Sequence, residues 1–309
     1  MRVAVVDIGT NSTRLLVADV DGDGQLTELV RRSVVTRLGQ GVDASGALAP
    51  EAMQRVFDTL AGYRALIDQH GAERTAAVLT SAVRDAANGP EFTSRVREDY
   101  GLDARTIPGE EEARLTFLGA TSERPDDAPG PAVVIDIGGG STEFVVGDGR
   151  DLIFHVSTQA GVVRHSERHV HSDPPAPQEL AALRREVRSI FEAEVPADVR
   201  ERTRAAIAVA GTATSLASID QQLDPYDAAK VHGYELSVGR LDELLGELAA
   251  KTEDERRQIT GLDPGRAPTI VAGTALLLEA LGAFGLDATE VSDHDILRGT
   301  ALELVHRGS

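Results

Sequence analysis

The chain has 309 residues, about twice the commonest single-domain length, and its 41% hydrophobic and 26% charged residues suffice for a buried core in each of two domains. It has no cysteine, which excludes disulfide frameworks, thiolate metal ligands and cysteine nucleophiles. A net charge of −19 with only 4% aromatic residues repels nucleic acid and offers no base-stacking platform, so a polyanionic substrate needs a cleft with its own donors and a divalent cation.

The N-terminal run VAVVD, residues 3–7, predicts a strand ending at Asp7. A polar turn follows, then the apolar run 15–20, which completes a hairpin. The DGDG at 21–24 predicts a second hairpin turn rather than a calcium loop, because no bidentate acid stands at the required spacing. Apolar Met53, Val56, Phe57, Leu60, Tyr63 and Ile67 recur at helical spacing over 51–70. A short buried strand is expected at 75–79, followed by TSAVRDAAN at 80–88, and a helix over 110–119 after Pro108-Gly109. The segment ERPDDAPGP, 123–131, reads as a linker, giving domains 1–124 and 125–309.

In the second half, a strand at 132–135 ends in Asp136 and runs through IGGGST into 144–146. A helix is expected over 178–194, and a strand over 205–210 leads into Gly211-Thr212-Ala213-Thr214. A further helix is expected around 271–274, and an amphipathic one over 295–306 packs back on the first domain. No apolar run approaches the ~18–20 residues of a membrane span, and the N-terminus carries no signal-type h-region, which predicts a soluble, cytoplasmic chain.

A shift of 129 positions lays the first hairpin on the one opening the second half. Val5, Asp7, Ile8, Gly9, Ser12, Thr13, Val17 and Asp19 all meet an identical residue. A repeat of that period predicts two α/β halves of like topology. A strand that ends in Asp and enters a Gly/Ser/Thr turn suits phosphate. Glycine lets the backbone approach, successive N–H groups form an anion nest, hydroxyls add donors, and the Asp can hold a divalent cation. The candidate phosphate-binding residues are therefore Asp7, Gly9, Thr10, Asn11 and Ser12 in the first turn, and Gly138, Gly139, Gly140, Ser141 and Thr142 in the second. Asp136 and Glu143 flank the second turn closely enough to share one Mg²⁺. Arg84 is the cationic contact of choice, because its planar fork matches two phosphate oxygens, and Arg14 and Arg298 are further candidates. His165, His169 and His171 contain an i, i+4 pair but no third ligand at metal spacing, so packing or solvated roles are expected.

In DIGTNSTRLL (7–16), TRLGQGVD (36–43), TSAVRDAAN (80–88), GEEEARLTFLG (109–119), VIDIGGGSTEFV (134–145), VAGTATSLA (209–217) and SDHDILRG (292–299), the chain resembles the Ppx/GppA phosphatase family. These motifs run the length of the chain in the family's order. The resemblance implies the duplicated actin-like/sugar kinase/heat-shock ATPase (ribonuclease H-like) superfold, an α/β fold with an inter-domain cleft. It also implies a Mg²⁺-dependent exopolyphosphatase acting on inorganic polyphosphate, with guanosine pentaphosphate (pppGpp) as a further substrate, and a homodimer. Two departures stand out. The chain resembles the short, two-domain form without the family's extra helical domains, and its first turn reads GTNS where many relatives have GSNS, Thr10 keeping the hydroxyl.

By the same resemblance the general base is Glu112, with Glu111 as the fallback. Without it, three acids in a helix's first turn, Glu110, Glu111 and Glu112, are equally explained by the helix dipole. Two other readings stay open: a kinase of the same superfold, for which no acceptor site is legible, and a non-catalytic sensor of polyphosphate or alarmone.

Overall fold

The computed structural model describes residues 1–22, 24–125, 128, 130–149 and 151–306. Two compact units divide the chain: Met1–Ser122 together with the segment from Asp295, and Glu123–His294. The turn expected at 21–24 is closed by the Asp21 N–H donating to the Gln25 carbonyl at 3.0 Å and by the Gln25 N–H donating to the Asp21 carboxylate at 2.8 Å. Asp23 in that turn, part of the expected linker (126, 127 and 129) and 307–309 lie outside the described residues.

The first unit runs β1 (Arg2–Ile8), β2 (Ser12–Val20), β3 (Leu26–Val35), α1 (Val42–Ser45), α2 (Pro50–His70), β4 (Arg74–Leu79), α3 (Ser81–Asp85), α4 (Gly89–Tyr100), β5 (Ala104–Thr106) and α5 (Gly109–Ala120). The second contains β6 (Ala132–Ile137), β7 (Thr142–Asp148), β8 (Asp151–Thr158), α6 (Val162–His169), α7 (Pro177–Glu194), α8 (Ala197–Arg202), β9 (Ala205–Val209), α9 (Ala210–Asp220), α10 (Ala228–Val231), β10 (Tyr234–Ser237), α11 (Val238–Ala249), α12 (Glu253–Arg256), α13 (Ile270–Phe284) and β11 (Ala288–Val291). The last helix, α14 (Ile296–His306), belongs to the first unit.

The sheet orders are β3-β2-β1-β4-β5 and β8-β7-β6-β9-β11-β10. Apart from the extra edge strand β10, the two read alike. In each, the first three strands form an antiparallel meander and the next two add in parallel. The register repeats as well. Asp7 faces Arg14 and Ile8 faces Thr13, while 129 residues on Asp136 faces Glu143 and Ile137 faces Thr142. This is the duplicated α/β architecture expected of the actin-like superfold.

Alternation along β1 explains how its sheet is covered. Ala4, Val6 and Ile8 face Val56, Phe57, Leu60 and Ile67 of α2 and Phe92 of α4. Val3 and Val5 face Leu297, Ala301 and Leu302 of α14. A strand buried on both faces reads as a continuous β-branched run, which is why 3–8 shows no polar alternation. In the second unit, Val133, Ile135, Ile137 and Phe144 pack under Leu183, Val187 and Phe191 of α7 and the apolar length of α13. Phe144 and Phe191 meet edge to face at 4.8 Å. Each such side chain contributes about 1.5–3 kcal/mol on burial.

Helices α5 and α14 cross at a pair of glycines. A Cβ on Gly119 would lie 1.9 Å from the Asp295 carbonyl oxygen, and one on Gly299 would lie 1.8 Å from that of Leu115. Both neighbours are backbone, so neither can rotate aside. Gly299→Ala is therefore expected to destabilise the first unit by about 3 kcal/mol or more, read as a lowered Tm in thermal unfolding, with Gly282→Ala, where nothing lies within 4 Å of the added Cβ, as the neutral control.

Candidate active site

The turn between β1 and β2 closes on itself, the Gly9 N–H donating to the Ser12 carbonyl at 3.0 Å. Behind it passes the segment after β3. The N–H of Gly39 donates to the Thr10 carbonyl at 2.8 Å, and those of Thr36 and Arg37 donate to the Asn11 carbonyl at 3.0 and 2.8 Å. Because a trans peptide is planar, an N–H points opposite to the carbonyl before it. Fixing the carbonyls of Thr10 and Asn11 from behind thus turns the amides of Asn11 and Ser12 the other way. The fit is close: a Cβ on Gly39 would stand 2.3 Å from Thr10 Cγ2, and Arg37 is held at φ 48°, a left-handed conformation costing about 1–2 kcal/mol for a side-chain-bearing residue. The Thr10 hydroxyl also shares a hydrogen bond of 2.9 Å with Ser81 at the start of α3.

The second turn is built the same way. Gly138 N–H donates to the Ser141 carbonyl at 2.9 Å, and the backing comes from the start of α6. Val162 N–H donates to Gly138 O at 3.0 Å, Val163 and Arg164 N–H to Gly139 O at 2.9 and 3.2 Å, and Arg164 Nε to Gly140 O at 3.0 Å. The amides of Gly139, Gly140 and Ser141 consequently face away from α6. Gly161 permits this approach, since a Cβ there would lie 2.3 Å from the Gly140 carbonyl carbon.

These bonds narrow the list of expected phosphate contacts. The N–H groups of Gly9 and Gly138 close their turns. Thr142 is fully buried and its hydroxyl donates to the Ala160 carbonyl at 2.6 Å, so it holds the fold and not an anion. Asp7 is likewise 3% exposed. Its Oδ2 accepts from Arg14 Nε and Nη2 at 2.8 and 2.7 Å, while its buried Oδ1 has no hydrogen-bond partner. Arg14 reaches on to Asp295, which also lies 3.8 Å from Arg31. Burial pushes the Asp7 carboxyl up, with Arg14 opposing. For Asp295 burial acts in the same sense, but Arg14, Arg31 and the Leu297 N–H outweigh it and hold the carboxyl below its ordinary value. Arg14 therefore anchors the hairpin to the start of α14. Arg298 is also buried, its Nε donating to Ser122 Oγ at 2.7 Å. Neither arginine is the exposed phosphate contact that the sequence suggests.

Arg84 and Glu112 are brought together. Arg84 Nη1 donates to Glu112 Oε2 at 3.1 Å and to the Ile107 carbonyl at 3.1 Å, joining α3 to the first turn of α5. Glu111 instead pairs with Arg105, which also approaches Glu303 at 3.9 Å. Within the acidic triplet, then, Glu112 is the member beside Arg84, and Glu111 belongs to an ion network with Arg105.

In the second unit Asp136 and Glu143 are directly opposed across β6 and β7. Glu143 Oε1 accepts from the hydroxyls of Ser141 at 2.6 Å and Ser157 at 2.8 Å. Two carboxylates at facing positions are an all-oxygen donor set of the kind that could hold a divalent cation such as Mg²⁺.

The sequence model of the Ppx/GppA phosphatase family matches residues 16–307. The chain belongs to this family. Exopolyphosphatase 2 of Mycobacterium tuberculosis is 40% identical over 316 residues, covering 98% of each chain. The crystal structure of the Aquifex aeolicus Ppx/GppA member matches with a TM-score of 0.87 and 32% identity over 100% of this chain and 99% of that one. An exopolyphosphatase from Cytophaga hutchinsonii matches with a TM-score of 0.87 at 29% identity, covering 99% and 98%. A phosphatase of the Ppx/GppA family thus carries the two backed turns and the Arg84–Glu112 pair described above. No helix among the described residues is long and apolar enough to cross a membrane.

The histidines of α6 have structural roles. His169 Nε2 lies 2.5 Å from Glu186, and His165 is fully buried with Nδ1 3.2 Å from the Gly161 carbonyl. Burial lowers the His165 pKa, with the Gly161 carbonyl opposing. A depressed histidine favours folding above the unfolded pKa of about 6.5, and that contribution is lost as pH falls from there toward the folded value. Unfolding free energy should therefore drop between pH 7 and 5, and His165→Gln, which keeps a donor but does not titrate, should flatten that slope in denaturant titrations. An unchanged slope in the variant would remove His165 as its source.

Proposed function

We propose that the chain is an exopolyphosphatase that releases the terminal phosphate of inorganic polyphosphate, accepts guanosine pentaphosphate as a second substrate, and works as a Mg²⁺-dependent cytoplasmic homodimer. The carrying observation is the duplicated turn whose carbonyls are bonded from behind, because outward amides are what a phosphate chain requires. In this reading the amides of Asn11, Ser12, Gly139, Gly140 and Ser141 hold phosphoryl oxygens, while the Ser141 hydroxyl is taken up by Glu143. Glu112 orients the attacking water and takes its proton as the new P–O bond forms and the bridging P–O bond breaks, the bridging oxygen leaving with the shortened chain. Arg84 sets the charge beside Glu112 and binds the terminal or penultimate phosphate. Asp136 and Glu143 would hold Mg²⁺, which supplies neutralisation of phosphoryl charge when bound. The exopolyphosphatase name of the Mycobacterium relative supports the substrate.

Glu112→Gln should lower kcat about 10²–10⁴-fold in phosphate release from polyphosphate, with affinity steady or slightly improved because a negative charge is removed. Glu111→Gln should leave kcat within a few-fold, since that carboxylate is paired with Arg105. The reverse pattern would move the base one residue along the helix.

Arg84→Ala should raise KM by about 10–100-fold for a lost charged hydrogen bond of ~1.5–3 kcal/mol. An unchanged KM would remove Arg84 from the phosphate contacts. Removal of divalent cations should abolish turnover, and Glu143→Gln should raise the Mg²⁺ concentration needed to restore it.

A further inference from the structure

The chain passes between the two compact units after Ser122 and again after His294, so Glu123 and His294 are the ends of the second unit. Within that unit both ends meet His232, which follows α10. One ligand atom from each of Glu123, His232 and His294 lies within 4.8 Å of the others. His232 Nε2 is 3.4 Å from Glu123 Oε2, and the two imidazole rings lie 3.8 Å apart, tilted by 33°.

We propose that Glu123, His232 and His294 form a binding site for a transition-metal ion of the Zn²⁺ class, separate from the oxygen-ligand pair Asp136 and Glu143. Ser292 is the first support. It is fully buried, and its hydroxyl donates its single proton to the His294 carbonyl at 3.0 Å. At its 3.4 Å contact with His232 Nδ1 the imidazole must then be the donor. This leaves Nε2 as the ring atom that faces the Glu123 carboxylate, in position for a cation to sit between them. It is also the familiar pattern in which a metal-binding imidazole donates its other N–H to a fixed acceptor.

Distance is the second support. Zn–N bonds of about 2.0–2.1 Å and Zn–O bonds of about 2.0–2.2 Å at a tetrahedral angle separate ligand atoms by about 3.3–3.5 Å. The His232–Glu123 separation of 3.4 Å is such an edge. Two imidazoles and one carboxylate suit Zn²⁺, Co²⁺ or Ni²⁺ and not Mg²⁺, with a fourth position left for water. Bound there, the ion ties the first residue of the second unit to its last, so metal binding adds to the stability of that unit.

The test uses the full-length protein stripped of metal by chelation, with Co²⁺ as the probe and excess Mg²⁺ present throughout. Wild type should develop the visible absorption of tetrahedral Co²⁺, lose it on stoichiometric Zn²⁺ addition, and show a Tm that rises with Zn²⁺ concentration. His232→Ala and His294→Ala should abolish the band, and Glu123→Gln, a substitution at an exposed carboxylate that leaves the rings in place, should weaken Co²⁺ binding at least 10-fold. His169→Ala should bind as wild type does. Wild type without a Co²⁺ band, or a band that survives both histidine variants, would overturn the assignment. A Tm that responds to pH but not to Zn²⁺ would also overturn it, showing a His232–Glu123 ion pair in its place.

Discussion

A peptide unit is planar, so every amide a turn offers to a ligand requires the preceding carbonyl to point the other way and to find a donor there. Both hairpin turns meet this condition with a segment that follows the third strand of the meander: 36–39 in one unit and 161–164 in the other. A glycine in each backing segment removes the side chain that would hold the two backbones apart. The close approach also constrains the neighbouring backbone. In the first unit it holds Arg37 in a left-handed conformation, and in the second it makes the first turn of α6 part of the site. Without such backing, a Gly-rich turn samples many conformations and its amides form no fixed nest.

On this common frame, one position distinguishes the halves. Arg14 and Glu143 occupy equivalent places, each facing the aspartate that ends its unit's first strand. Arg14 neutralises Asp7 and extends to Asp295, converting the first hairpin into an anchor for α14. Removing one partner of such a buried pair costs about 3–5 kcal/mol, since the other charge is left uncompensated. Glu143 has the opposite consequence, setting two carboxylates side by side with Ser141 and Ser157 donating to one of them. The two turns thus share one backbone design, and a charge reversal at one position separates them: an anchored ion pair in the first unit, and in the second the facing carboxylates proposed to hold a cation.

Legibility in the sequence followed locality. The 129-residue repeat revealed both hairpins, their turns and the register that relates them, because β1 and β6 are buried runs with sharp polar ends. Helices α2 and α7 were equally plain, whereas α4 and α11 were not predicted. The hairpin turn at 21–24 implied the strand β3 but not its extent, because seven of its ten residues are exposed and carry no alternation, and β8 was missed because it is an edge strand with one buried position. At the site, residue type was readable but accessibility was not. Asp7, Thr142 and Arg298 have the right groups, and only packing shows them taken up inside the fold. The backing segment lay within a recognised motif, TRLGQGVD, whose purpose is invisible without its bonds to Thr10 and Asn11. Ser81 was likewise within TSAVRDAAN, yet only its contact with Thr10 shows why a hydroxyl stands there. Glu123 opened the recognised linker and His294 lay within SDHDILRG, but nothing grouped them with His232, from which they are separated by about a hundred and by about sixty residues.

The charge balance looks paradoxical for a protein that handles polyanions, and the placement of its arginines resolves it. A net charge of −19 repels phosphate over most of the surface. Of the three arginines expected to meet phosphate, Arg14 and Arg298 are engaged in internal bonds, and Arg84 is matched by Glu112. The arginines nearest the turns stand instead in the backing segments: Arg164, whose Nε donates to the Gly140 carbonyl at 3.0 Å, and the exposed Arg37, whose N–H donates to the Asn11 carbonyl at 2.8 Å. The segments that fix the turn carbonyls thus also set positive charge behind each turn, beside backbone dipoles that carry no net charge and act only at hydrogen-bond range. Amides fixed in this way discriminate at contact, favouring ligands whose oxygens match their spacing, and the backing arginines add a local positive potential that the overall charge of −19 lacks.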